Sequence, residues 1–126
     1  MGSPDLRECH DIAGVLSDGG LAQFGDSLLN FAFSLALTEM LGRPKGTKIP
    51  DRVLADAAVK AGLRKFLPKR VGRGDVANSV EALLGYAWLQ KLLTLGEIVG
   101  CLKTDSLDRS HDFAKLAGLA LERLNK

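Results

Sequence analysis

Two carboxylates stand alone in apolar surroundings. Between Leu21 and Leu41 the only charged residues are Asp26 and Glu39, and Asp26 sits among Phe24, Leu28 and Leu29. From Val76 to Gln90 the only charge is Glu81, flanked by Val80, Leu83, Leu84 and Trp88. Segments this apolar read as helices that bury most of their surface. A carboxylate on such a helix is costly unless it meets a cation, a metal ion or several donors. If the two helices pack together, Gly25 and Gly85 let the backbones approach, and Asp26 and Glu81 share one polar spot. Two neighbouring carboxylates repel, so one takes a proton or a divalent cation neutralises them. Mg2+ suits such a place, because it takes one or two carboxylates and completes its shell with water and substrate phosphate. Pattern alone leaves the other reading open, in which each acid is a structural ion-pair partner or sits at a helix edge.

Charge segregation points to a phosphate-bearing partner. The segment from Arg43 to Arg73 holds ten basic residues (Arg43, Lys45, Lys48, Arg52, Lys60, Arg64, Lys65, Lys69, Arg70, Arg73) against Asp51 and Asp56. That is a net +8 in the middle of the chain, leaving −6 for the rest behind a total of only +2. Such a stretch suits a nucleic-acid backbone, and its alternative is a solvated helical hairpin.

The elements that must position these groups are helical. The chain has 126 residues, 46% hydrophobic and 25% charged, enough for one domain with a real core. Leu and Ala outweigh β-branched residues, which favours helices over strands. A first helix is expected over Pro4–Leu16, ended by Ser17-Asp18-Gly19-Gly20. A long one follows from Leu21 to Leu41, closed by Gly42, then another from Pro50 to Ala61, closed by Gly62. Pro68 and Gly72-Arg73-Gly74 mark a loop before a helix over Asp75–Leu92, with Asp75 as its N-cap. Helices over Gly96–Cys101 and Ser106–Leu124 complete a single all-α domain of about six to seven helices. Cys9 and Cys101 form no disulfide framework and no Cys/His cluster, so no zinc site is expected. The polar start from Met1 to Asp11 lacks a signal-peptide pattern, and the twelve uncharged residues between Asp26 and Glu39 fall short of the ~20 that span a bilayer. A soluble, cytoplasmic protein with no membrane association is expected.

Two blocks of sequence resemble the ribonuclease III catalytic domain. Leu21-Ala22-Gln23-Phe24-Gly25-Asp26-Ser27-Leu28-Leu29 is similar to its signature helix, E-x-L-E-F-L-G-D-[AS]-[VI]-L. Ala77-Asn78-Ser79-Val80-Glu81-Ala82-Leu83-Leu84-Gly85 resembles its second acidic motif, A-D-x-x-E-A-L-[IL]-G, and is the more specific of the two. The resemblance implies the all-helical endonuclease-domain fold and a Mg2+ site, with Mn2+ a possible substitute, that hydrolyses double-stranded RNA. It places Asp26 and Glu81 as metal ligands and catalytic residues. Two further family acids are replaced, one by Ala22 and one by Asn78, and the earlier signature glutamate falls at Gly19, next to Asp18. Asn78 lies three residues before Glu81, so it shares that helix face and its amide can assist through a metal or a metal-held water. Ala22 can do neither; Asp18 or Asp75 would have to compensate. His10 and His111 have no matching context and read as surface or capping residues.

The family domain is a homodimer, which the resemblance carries over to Phe24, Phe31 and Phe33 as interface residues, with the monomer core as their alternative place. No residues remain for a double-stranded RNA-binding domain, so the arrangement resembles Mini-ribonuclease III. RNA contact then falls to the basic segment, to Lys45, Lys48, Arg52, Arg64, Lys65, Lys69, Arg70 and Arg73. Three functions follow. The first is a homodimeric Mg2+-dependent endoribonuclease acting on structured RNA. The second is a catalytically impaired RNA-binding scaffold, for which Ala22 is the best argument. The third is a helical dimerisation adapter, which has no need of so large a positive field.

Overall fold

The computed structural model describes residues 11–125, and within them every regular element is helical. Six α-helices run in the order α1 (Ile12–Leu16), α2 (Gly19–Leu41), α3 (Asp51–Lys60), α4 (Arg73–Leu89), α5 (Leu95–Leu102) and α6 (Arg109–Leu124). A single 3-10 turn, Leu63–Phe66, lies between α3 and α4. Among the described residues no helix is long and apolar enough to cross a membrane.

α4 is the axis of the molecule. Ten of its seventeen residues are buried, and α1, α2, α3 and α6 all pack against it. A helix apolar on every side has to be surrounded in this way. The main core gathers Leu29, Phe33, Leu54, Leu63, Leu83, Leu84, Ile98, Phe113 and Leu116 from five helices and the 3-10 turn. A smaller cluster of Val15, Leu21, Ala22 and Ala82 joins α1 to the start of α2 and the middle of α4.

The helix ends follow local chemistry and shift from the sequence expectation in several places; α2 begins at Gly19, not Leu21, so the expected break at Ser17-Asp18-Gly19-Gly20 ends at Asp18. α1 starts at Ile12 because the Asp11 carboxylate accepts from Gly14 N and caps it; the earlier part of the expected helix, with His10 and Cys9, lies outside the described residues. Asp18 caps α2 by accepting from Leu21 N at 2.8 Å, and Gly42 ends that helix in the left-handed region (φ 71°). α4 begins at Arg73 rather than Asp75, with Gly72 in the capping position, so Asp75 sits in the first turn, where its charge favours the helix N-terminus. The same helix stops at Leu89 because Lys91 turns left-handed (φ 62°) and Lys91 N and Leu92 N bond back to Trp88 O and Ala87 O, a Schellman closure without glycine. α6 starts at Arg109, capped by Asp108, not at Ser106.

α5 begins at Leu95, one residue before the expected Gly96, on a Thr-x-x-Glu cap that is present in the sequence. Thr94 accepts from Glu97 N while Glu97 Oε1 accepts from Thr94 N, a reciprocal capping box, and Arg123 of α6 pairs with the same Glu97 at 2.7 Å. Thr94→Ala removes one half of the box and should cost about 1 kcal/mol, read as a lower urea midpoint at unchanged slope.

Candidate active site

The site is made by the closest helix contact in the fold. At Gly25 an added Cβ would stand 1.8 Å from Glu81 O, and at Gly85 one would stand 3.1 Å from Leu21 O. Two glycines therefore let α2 and α4 touch backbone to backbone, one residue before Asp26 and four after Glu81. That approach brings the two acids together across the seam.

Glu81 is only 6% exposed. Burial pushes its carboxyl up to about 8 from the usual 4.5, and the hydrogen bond with Asp26, the Asp26 charge and the Asp51 charge add to the rise. Glu81 thus keeps a proton at neutral pH and donates it to Asp26. That hydrogen bond is the largest influence holding Asp26 below the ordinary carboxylate range; Lys48 and Asn30 reinforce it against partial burial. Lys48 Nζ lies 3.3 Å from Asp26 Oδ1, and Asn30 Nδ2 donates to the same oxygen at 3.1 Å. With its amide oriented by the surrounding acceptors, Asn78 donates to Glu81 Oε1 at 3.1 Å and to Gly74 O at 3.2 Å.

These groups open onto a cleft of about 670 Å³ lined by Gly19, Ala22, Gln23, Asp26, Ser27, Lys48, Asp51, Asn78 and Glu81. Ala22 forms part of its wall and brings no polar side chain to it. A second cavity, about 270 Å³, shares Gly19, Ala22 and Asn78 with the cleft and is bordered by Asp18, Asp75, Pro68 and Val71. Asp18 and Asp75 therefore border the neighbouring cavity and are not among the residues lining the cleft. Asp51 and Lys48 are the cleft residues that sequence reasoning did not place there: one reads as an ordinary helix-start acid, the other as one cation of ten.

Among the described residues no three His, Cys, Asp or Glu side chains gather closely enough to cage a metal ion. The oxygen donors lining the open cleft are the carboxylates of Asp26, Glu81 and Asp51 and the amides of Asn78 and Gln23. That set fits a hard cation that keeps its waters and borrows phosphate oxygens, and does not fit a closed structural site.

The basic residues divide by what already engages them. Lys45, Lys48, Arg52, Lys65, Lys69, Arg70 and Arg73 are exposed. Arg64 is committed to the loop after the 3-10 turn, where its guanidinium donates to Pro68 O at 2.9 Å and Lys69 O at 2.8 Å. Lys65 lies over the Phe66 ring. Lys48 lines the cleft at Asp26, Lys45 lies farther along α2 beside Thr38, and the loop with Lys69 and Arg70 adjoins the second cavity through Pro68 and Val71.

The three phenylalanines of α2 separate. Phe31 is 55% exposed, and Phe24 is half-buried with its ring 5.7 Å from that of Trp88. Phe33, expected at an interface, instead packs into the monomer core at 9% exposure, edge-on to Phe113 and under the Arg109 guanidinium. Residues two apart on a helix point nearly opposite ways, so Phe31 and Phe33 cannot share a face. His111 is exposed on α6, as expected.

No curated protein matches the chain. The family model described as Ribonuclease III matches residues 19–124, a span that runs from the first residue of α2 to the last of α6 and contains both acids of the cleft. A match of that extent, on an all-helical domain whose two acidic motifs meet across one glycine seam, places the chain in the Ribonuclease III family.

Proposed function

We propose that the protein binds structured, double-stranded RNA and hydrolyses its phosphodiester bonds with Mg2+, for which Mn2+ can substitute. The observation that carries this reading is the Asp26–Glu81 pair at an open cleft with basic segments along its border. Asp26 and Glu81 would hold the ion, with Asn78 orienting Glu81 through its amide. The chemistry a divalent ion supplies there is neutralisation of phosphate charge and activation of water for attack at phosphorus. On these residues, RNA contact would fall to Lys45, Arg52, Lys69, Arg70 and Arg73. Binding is therefore expected to weaken steeply with salt.

Ala22 favours a second reading, an RNA-binding scaffold that retains the cleft and does not cut. Incubation of the protein with end-labelled duplex RNA, with and without Mg2+ or Mn2+, separates the two. Metal-dependent shortening of the duplex supports the nuclease; retention of intact duplex at every metal concentration supports the scaffold. Failure to retain duplex at low salt rejects both.

The family's homodimer is proposed on a narrower face than the sequence suggested. Phe24, Leu28, Phe31 and Leu35 follow one another at three-to-four spacing on the outer side of α2, each left partly or largely exposed by the monomer. A second copy meeting that stripe would bury it about a two-fold axis. Phe31→Lys places a charge at its centre and should convert the dimer to a 13.5 kDa monomer in light scattering while the helical circular-dichroism signal is kept. An unchanged mass for the variant contradicts this face.

A further inference from the structure

The segment between α2 and α3 is fastened along α2 by a regular ladder of side chains. Ile49 N donates to Asn30 Oδ1 at 2.8 Å. One helical turn on, Thr47 N donates to Ser34 Oγ at 2.9 Å, and that hydroxyl donates back to Thr47 O at 3.1 Å. A turn further, Lys45 N and Lys45 O make the same two bonds with Thr38 Oγ1, at 2.9 and 3.2 Å. Four residues of helix advance about 6 Å, and two residues of extended chain advance nearly the same distance, so the two backbones stay in step. Residues 45, 47 and 49 are consumed by the ladder. Lys48, between two of its rungs, is held by the backbone while its side chain, 72% exposed, reaches Asp26.

Lys48 is the one cation among the residues lining the cleft. Its ammonium already lies against Asp26 Oδ1, on the carboxylate that a divalent ion would need, and Asn30 ties that same oxygen to the foot of the ladder. An ammonium and a hard dication cannot share this place without strong repulsion. We propose that Lys48 is a tethered counter-cation that competes with the divalent ion for Asp26, so that the ladder sets how tightly the cleft holds metal. This rests on the metal-binding reading given above. The ammonium keeps Asp26 charge-compensated until an ion displaces it, and a displaced Lys48 stands at the cleft edge, free to meet a phosphate.

Mn2+ binding to the full chain, followed by the electron paramagnetic resonance of the free ion, tests this without any turnover. Lys48→Met, which keeps the length and removes the charge, should bind Mn2+ about ten-fold more tightly than the wild type, from the loss of a full charge beside the ion. Ser34→Ala cuts both bonds to Thr47, leaves every cleft side chain in place, and should tighten Mn2+ binding by a smaller factor. Equal or weaker Mn2+ binding by Lys48→Met overturns the proposal while leaving the metal reading standing. If neither the wild type nor Lys48→Met binds Mn2+, the metal reading itself fails, and the competition with it.

Discussion

Gly25→Ala is expected to be the most damaging single methyl group that can be added to this protein. The new carbon would stand 1.8 Å from Glu81 O, 2.5 Å from its carbonyl carbon and 3.0 Å from its Cα. All three are backbone atoms in the middle of the most buried helix, so no side-chain rotation relieves the clash. α2 and α4 must separate, opening the cores on both sides of the seam and pulling Asp26 from Glu81. Overpacking of this kind costs about 3 kcal/mol or more, which for a domain of this size lowers the melting temperature by roughly 10 °C. Gly85→Ala meets Leu21 O at 3.1 Å and Gly25 Cα and N at 3.2 Å, a tight fit that a small shift relieves. It should cost about 1–2 kcal/mol. Thermal unfolding of the two variants beside the wild type checks both the order and the sizes. A Gly25→Ala protein that melts with the wild type would mean that the helices do not meet there.

Glu81→Gln should split stability from activity. In the folded protein the Glu81 carboxyl is raised to about 8, so the stability it contributes is complete below 4.5 and is lost as pH rises from there towards 8. Asp26 runs the other way: it is held low, so its contribution is present above 3.8 and fades only as the solution becomes more acidic. A glutamine has no proton to lose, and its amide can donate to Asp26 as the protonated acid does. The metal-free variant should therefore match the wild type near pH 4.5 and exceed it near pH 8 by about 4 kcal/mol, measured by urea unfolding at the two pH values. In the same variant, metal-dependent cleavage of duplex RNA should fall by about three orders of magnitude, because a neutral amide neither neutralises the ion nor holds it well. Lower stability at pH 8 would contradict the raised carboxyl; undiminished cleavage would remove Glu81 from the reaction.

Much of this architecture is written locally. Asp26 and Glu81 were legible because each stands in a long apolar stretch with no charged neighbour close by, and a buried acid without a partner is too costly to expect. Gly25 and Gly85 pointed to a close approach at the same level. The inside and outside of α2 were not legible. A helix apolar on nearly every side has no stripe to read, so Phe31 and Phe33 look alike in sequence although one faces solvent and the other Phe113. Asp75 looks like an N-cap by residue type, but Gly72 takes that position and the helix starts earlier. Lys91 ends α4 in a conformation that sequence seldom assigns to lysine. Lys48 and Asp51 reach the cleft only because an extended segment lies in step with α2, a tertiary match of two spacings that no local pattern carries.

A carbon-13 titration of the Glu81 carboxyl, with and without Mg2+, tests directly whether two acids from separate helices share one proton and whether the divalent ion proposed above takes its place. Without metal the resonance should titrate near pH 8, and saturating Mg2+ should bring its midpoint down well below neutrality. A midpoint close to 4.5 without metal, or one near 8 that Mg2+ leaves unmoved, would show that the pair does not form or does not hold the ion.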